Sequence, residues 1–192
     1  MPVAAGMVRS LRPFYGVHHD GVCNLRCFYC YEKHSKPDLA AVRRAIEASL
    51  RLAARAGYRD VAFESGELLL LPFWREALGL ARSLGFEHIV LVTNMTLLDE
   101  RTLDELAAGG LTTIAGTFFC LDDAEGRRVA GMPGIFTRQR RAAALLVRHP
   151  GIELIPHFIV TRRFARRPLA SIRALLEMIG VSAPTLVVSA VE

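Results

Sequence analysis

Short runs rich in β-branched and aromatic residues alternate with amphipathic runs along almost the whole chain, and this alternation limits the fold more than any other feature. Strand-like segments stand at 13–19, 59–64, 88–94, 111–119, 152–161 and 185–191. Between them, helical periodicity runs through 39–57, 73–85, 99–110, 133–151 and 168–180, with a polar loop expected just after Cys120. Strand and helix alternating at about 30 residues per unit imply parallel pairing through right-handed crossovers. The chain has 192 residues, enough for six such units. A closed eight-fold barrel takes about 250 residues. The expected architecture is therefore α/β, a partial (βα)6 TIM-like barrel. The sequence stops at its sixth strand with no helix to cover it, which suggests a fragment or a protein completed by a partner.

No composition shift, repeat or Gly/Ser linker divides the chain, so residues 1–192 read as one domain. Mean hydropathy is high at +0.27, yet no apolar run of about 18 residues is present, so the hydrophobicity belongs to a core rather than a membrane span. The first fourteen residues contain no apolar stretch of export-signal length, and a cytoplasmic location is expected. Net charge is +5, carried almost wholly by arginine, since Lys33 and Lys36 are the two lysines. Arginines crowd the second half, at Arg127, Arg128, Arg138, Arg140, Arg141, Arg148, Arg162, Arg163, Arg166 and Arg167. Such a run serves solvated helix faces, an acidic peptide or a nucleic acid, but no nucleic-acid-binding motif accompanies it.

Three of the four cysteines lie within eight residues, Cys23, Cys27 and Cys30, in a C-x3-C-x2-C pattern, while Cys120 stands apart. Thiols packed this tightly in a reducing compartment read as metal ligands rather than disulfides. A structural zinc ion wants four ligands, and His18, His19 or His34 would have to supply the last. An iron–sulfur cluster accepts three thiolates and leaves one iron open. Strand C-termini are where βα barrels place their sites, and the unusual residues fall there. The three cysteines follow the first strand, Glu64 to Glu67 the second, Asn94 the third, and Cys120 with Asp122 the fourth.

With Tyr29 just before the last cysteine, this pattern resembles the radical S-adenosylmethionine (SAM) superfamily. FESGELLLLP is similar to that family's Gly-Gly-Glu-Pro segment, LVTNMTLL to its TTNGTLL segment, and CLDDAEG to its SLDG segment. GMPGIFTRQRRAAALL resembles the GxxGSF segment, and HFIVTR the fifth strand. The combination looks most like the branch of peptide and protein maturases and cofactor-biosynthesis enzymes, without their added C-terminal cluster domain.

The resemblance implies a [4Fe–4S] cluster on Cys23, Cys27 and Cys30 that chelates SAM and cleaves it reductively to a 5′-deoxyadenosyl radical. The substrate would be a peptide, protein or cofactor precursor, with an electron donor as a further partner. Carried over by position, Glu67 would face the SAM ammonium group, Ser65 and Gly66 would let backbone approach closely, and Tyr29 would lie beside adenine. Asn94, Cys120 and Asp122 would complete the SAM side, and Arg162 would meet a carboxylate. Glu64 and His157 are expected at the barrel mouth, facing substrate, and Phe73 and Trp74 in helix packing. Four positions depart from the family pattern: Ser65 and Met95 replace glycines, Leu68 a proline and Cys120 a serine. These departures also fit a degenerate cluster-binding or zinc-binding partner that recognises a peptide without cleaving SAM.

Overall fold

A computed structural model describes residues 13–19, 22–30, 37–161, 166, 168–180 and 187–190. Six strands form one all-parallel sheet: β1 (Phe14–His18), β2 (Asp60–Glu64), β3 (His88–Thr93), β4 (Thr113–Phe118), β5 (Glu153–Val160) and β6 (Val187–Ala190). Their spatial order is the sequence order, and β1 is not paired to β6. This is the winding of a (βα)6 partial barrel. The helices are α1 (Leu39–Arg55), α2 (Trp74–Ser83), α3 (Glu100–Ala108), α4 (Asp123–Ala130), α5 (Ile135–Leu146) and α6 (Pro168–Ile179). Among the described residues, no helix is long and apolar enough to cross a membrane.

Local chemistry sets the helix ends. The side chain of Asp38 accepts from the Ala40 and Ala41 amides to start α1, and that of Asp99 accepts from Thr102 to start α3, each satisfying otherwise orphaned N–H groups. Helix α1 buries Ile46, Leu50 and Ala53, one stripe at helical spacing.

Alternation along the strands gives the sheet two unlike faces. Val17, Val61, Phe63, Ile89, Leu91, Ile114, Phe118 and Phe158 are buried and join one core with the helices. On the opposite face the register aligns His18 with Glu64 and Thr117 with His157, and these side chains keep partial or full exposure. The closed face supplies the stability, and the half-open face is the inner wall of the partial barrel.

One expectation needs correction. The segment after Cys120, read as a polar loop, forms helix α4. Internal Gly126 argues against a helix by propensity, but Asp123 and Glu125 suit a first turn and Asp122 caps it by accepting from the Glu125 amide at 2.7 Å. Gly126 is required by packing: a Cβ there would lie 2.3 Å from Ile135 Cγ2 and 3.1 Å from Cys120 Sγ. The glycine that weakens the helix locally lets α4 press against α5.

Candidate functional site

The cysteine loop follows β1 and is pinned on two sides. Arg26 N–H donates to Ala130 O at 2.9 Å and Phe28 N–H to Val129 O at 3.0 Å, so the C-terminal end of α4 clamps the loop. On the other side the Glu67 amide donates to Val22 O at 2.6 Å, and a Cβ on Gly66 would stand 2.6 Å from that same oxygen. Ser65 and Gly66 both hold left-handed backbone, with φ of 67° and 64°. Ser65 thus keeps the conformation a glycine would take more cheaply, and its Oγ accepts from the His19 amide at 3.2 Å. Met95, the other non-glycine departure, is likewise left-handed, with φ of 65°.

Within the loop, Cys23 and Cys27 are half-buried and Cys30 is exposed. Cys23 Sγ accepts from the Leu25 amide at 3.4 Å and from Asn94 Nδ2 at 3.8 Å. Burial first, and then its neighbours Glu67 and Cys30, push the Cys23 thiol up. Burial likewise pushes Cys27 up to about 12, with Tyr29 donating to its sulfur and Cys23 and Cys30 adding repulsion. Tyr29 is driven up by the same desolvation and by the thiols. Its ring meets Phe28 edge-on at 5.6 Å and Phe119 at 6.2 Å.

The carboxylate of Glu67, the group expected to face a ligand ammonium, is fully buried. Oε2 accepts from Thr93 Oγ1 at 2.7 Å and from the Asn94 amide at 3.1 Å, and Oε1 accepts from Leu69 N at 3.5 Å, the cap of a 3-10 turn over Leu68–Leu70. Desolvation raises this carboxyl to about 7 despite those donors. Asn94 turns its side chain to the cysteine loop: Nδ2 donates to Asn24 Oδ1 at 2.9 Å, and Oδ1 accepts from Thr96 N and Oγ1 at 3.0 and 2.6 Å. Glu67 therefore orients Asn94, and Asn94 reaches Cys23.

Sequence reasoning missed four members of this network: Asn24, Thr93, Thr96 and Gln139. Gln139 Nε2 donates to Asn94 O at 3.2 Å and to Thr117 O at 2.7 Å, tying the ends of β3 and β4 to α5. A signal was available, because Gln139 falls on the stripe of α5 that buries Ile135, Phe136, Ala142, Ala143 and Leu146. A polar residue on an apolar stripe asks for buried partners.

The other expected site residues have their own surroundings, with Cys120 near enough to Tyr29 to act on its hydroxyl as Cys27 and Cys30 do. Cys120 is buried against Gly126, and desolvation, then Glu125, Asp122 and Asp123, push its thiol up to about 12. Asp122 serves as the α4 cap. On the inner face, His18 Nε2 stands 3.4 Å from Glu64 Oε1. A Cβ on Gly16 would sit 2.0 Å from that oxygen, so the glycine is the notch in which the Glu64 carboxylate lies. His157, on the same face, is shifted down by desolvation. Phe73 and Trp74 are buried at the start of α2, as expected, with Arg75 over the Trp74 ring at 4.2 Å. Arg162 and His34 lie outside the described residues.

Zinc and an iron–sulfur cluster ask different things of a donor set. Among the described residues, no three Cys, His, Asp or Glu side chains gather closely enough to hold one metal ion. A zinc ion requires its donors within about 2.3 Å of a common point. A [4Fe–4S] cluster takes each thiolate on a separate iron, so it needs three thiols near one another rather than aimed at one point. Cys23, Cys27 and Cys30 share one loop, in which Cys23 and Cys30 add to the cost of charging Cys27, and Cys30 to that of charging Cys23. A cationic iron centre bound there would reverse that cost and favour the thiolate forms of Cys23, Cys27 and Cys30.

Comparison with known proteins gives a consistent result. The radical SAM superfamily profile matches residues 17–162. A PqqA peptide cyclase of Gluconobacter oxydans is 35% identical over 152 residues, covering 76% of this chain and 40% of the relative. A GTP 3′,8-cyclase of Rhodopirellula baltica is 31% identical over 137 residues, covering 63% of this chain and 37% of the relative. The chain thus spans about two-fifths of the length of these curated relatives. Among solved structures, Streptococcus suis SuiB bound to S-adenosylmethionine superimposes with a TM-score of 0.68 at 18% identity, covering 92% of this chain and 38% of SuiB. AdoMet-bound anSMEcpe gives 0.70 at 19% identity, covering 94% and 52%.

Proposed function

The chain belongs to the radical SAM superfamily, an enzyme family whose cofactors are a [4Fe–4S] cluster and SAM, and from that premise we propose that it cleaves SAM reductively and takes hydrogen from a peptide or protein precursor. Residues 1–192 would act as one radical SAM core domain. The observation that carries this reading is the chain of contacts from Glu67 through Asn94 to Cys23, which joins the ends of β2 and β3 to the cysteine loop. When bound, the cluster and SAM together supply a 5′-deoxyadenosyl radical able to abstract hydrogen from an unactivated carbon.

The chain's own residues have separable tasks. Cys23, Cys27 and Cys30 hold the cluster. The left-handed turn at Ser65 and Gly66 brings backbone close to the cysteine loop. Asn94 orients Cys23, and Tyr29 screens Cys27 from solvent while offering an aromatic edge to adenine. Glu67 acts by orientation: its buried carboxylate fixes Thr93 and Asn94. The inner face, with His18, Glu64 and His157, is the wall a substrate would meet at the barrel mouth. A peptide substrate is supported by the likeness to the PqqA peptide cyclases, and a small-molecule precursor is the outcome to weigh against it.

A second reading, a cluster-binding subunit that recognises a peptide without cleaving SAM, draws on one observation: the carboxylate expected to meet the SAM ammonium group is fully buried. One experiment separates the two. After anaerobic reconstitution, the wild type should bind about four irons per chain and, on reduction with dithionite, form 5′-deoxyadenosine from SAM. Cys27→Ala should do neither. A cluster without nucleoside supports the second reading, and zinc without iron refutes both.

A further inference from the structure

The proposed cleavage of SAM consumes one electron per event, and the surface beside the cysteine loop has the character of a place where that electron enters. We propose that Arg26, Phe28, Arg127 and Arg128 form a docking face for an acidic one-electron carrier protein. This inference rests on the reading of the chain as a SAM-cleaving enzyme.

Phe28 stands between two cluster-ligating cysteines, yet it is 63% exposed. A large apolar ring at that position loses the benefit of burial, and its ring contact is an edge with Tyr29. Arg26 and Cys30, on either side, are also exposed. The cysteine loop therefore shows its outer edge to solvent, and electron transfer needs short range, so a carrier has to approach along this edge.

Helix α4 supplies the rest of the face. The bonds from Arg26 and Phe28 to Ala130 and Val129 lay the loop along the C-terminal turn of α4, and a Cβ on Gly131 would lie 3.8 Å from Arg26 Cβ. Arg127 and Arg128, in that turn, are exposed. Among the described residues, Arg26, Arg127 and Arg128 form no ion pair, whereas Arg43, Arg59, Arg75 and Arg101 each do.

The acids at the start of α4 are drawn away from the same surface. Asp122 caps the opposite end of α4, Asp123 binds Thr137, and Glu125 is buried with Oε2 accepting from the Leu121 amide. Favourable interaction with the helix dipole explains cations at a C-terminus, but not an exposed aromatic among them. An exposed ring within a rim of arginines is the composition of a transient interface, and redox encounters lie at the small end of interface size. Positive charge selects an acidic partner and speeds its approach. In the transfer the carrier is oxidised by one electron and the protein's cofactor site is reduced by one. No bond is made and no proton moves at the docking face.

The test uses an acidic flavodoxin as probe. Its affinity for the reconstituted protein is measured at low and high salt, and 5′-deoxyadenosine formation is driven either by reduced flavodoxin or by dithionite, which needs no docking face. The double change Arg127→Glu with Arg128→Glu should weaken flavodoxin binding about tenfold and flatten its salt dependence. Flavodoxin-driven turnover should fall in step while dithionite-driven turnover holds. Arg51→Glu with Arg55→Glu, an equal charge change on exposed positions of α1, should leave binding within about twofold. Unchanged affinity after reversal on α4, or an equal loss after reversal on α1, overturns the docking face. Absence of nucleoside from the dithionite-reduced wild type refutes SAM cleavage instead, while the binding measurements still decide the surface.

Discussion

Replacing Glu67 with Gln isolates the electrostatic cost of the buried carboxylate that organises the site. In the fold this carboxyl titrates at about 7, against an ordinary 4.5, with burial as the dominant cause. Each pH unit corresponds to ~1.4 kcal/mol, so the charged form is disfavoured in the native state by about 3 kcal/mol. The sign follows from linkage. Between pH 4.5 and 7 the native protein retains a proton that the unfolded chain has lost, so stability falls as pH rises through this window. Below pH 4.5 both states are protonated and the stabilising contribution is fully present. Glutamine carries the same shape with no proton to lose, and its amide oxygen can accept from Thr93 and Asn94 as Oε2 does. The group replacing Oε1 gives up the long bond from Leu69.

Glu67→Gln should therefore match or slightly trail the wild type at pH 5 and exceed it by up to about 3 kcal/mol at pH 8. Denaturant unfolding of both proteins across this range, followed by circular dichroism, measures the difference, in which the other titrating groups cancel. A difference that stays flat from pH 5 to 8 would falsify the assignment, because it would mean that Thr93, Asn94 and Leu69 fully compensate the buried charge.

The remaining expectations concern packing and the hydrogen-bond network. Gly66→Ala sets a Cβ against Val22 O in left-handed backbone, so it should cost roughly 2 kcal/mol or more and lower cluster uptake; unfolding and iron content check this, and a loss under 0.5 kcal/mol on the same scale argues against the tight approach. Gly16→Ala meets the flexible ends of Glu64 and His18, so stability should change by less than about 1 kcal/mol, which unfolding also tests. Gln139→Leu leaves two buried carbonyls without their donor and should cost about 1–3 kcal/mol, with slower cluster reconstitution because Asn94 loses its anchor. Cys120→Ala should lower stability by about 1 kcal/mol while leaving iron content unchanged, since its buried sulfur packs against Gly126 of α4; an equal loss of iron would show that it belongs to the cluster site.

The strands and most helices were legible because period and punctuation agree locally. Residues 39–57 carry a buried stripe, an aspartate cap and a terminal glycine, and α1 occupies that stretch. Helix α4 was not legible. Its acids and Gly126 read as loop, and only contact with Ile135 makes the glycine an asset. The cysteine triplet pointed to a cluster, because a single short loop after the first strand can bring three thiols within eight residues together. The orientation of Glu67 was hidden: a glutamate in a turn gives no sign whether its carboxylate points to a ligand or to Thr93, 26 residues further on.

By itself, then, the sequence determined what is local: the alternating elements, their parallel winding, and a thiol cluster after the first strand. Periodicity and spacing act over a few residues and survive without knowledge of the neighbours. The tertiary structure decided which polar groups are enclosed, which glycines are notches, and which end of α4 holds the cysteine loop. Those properties depend on desolvation and close approach between segments far apart in the chain, and they exist only once the segments meet.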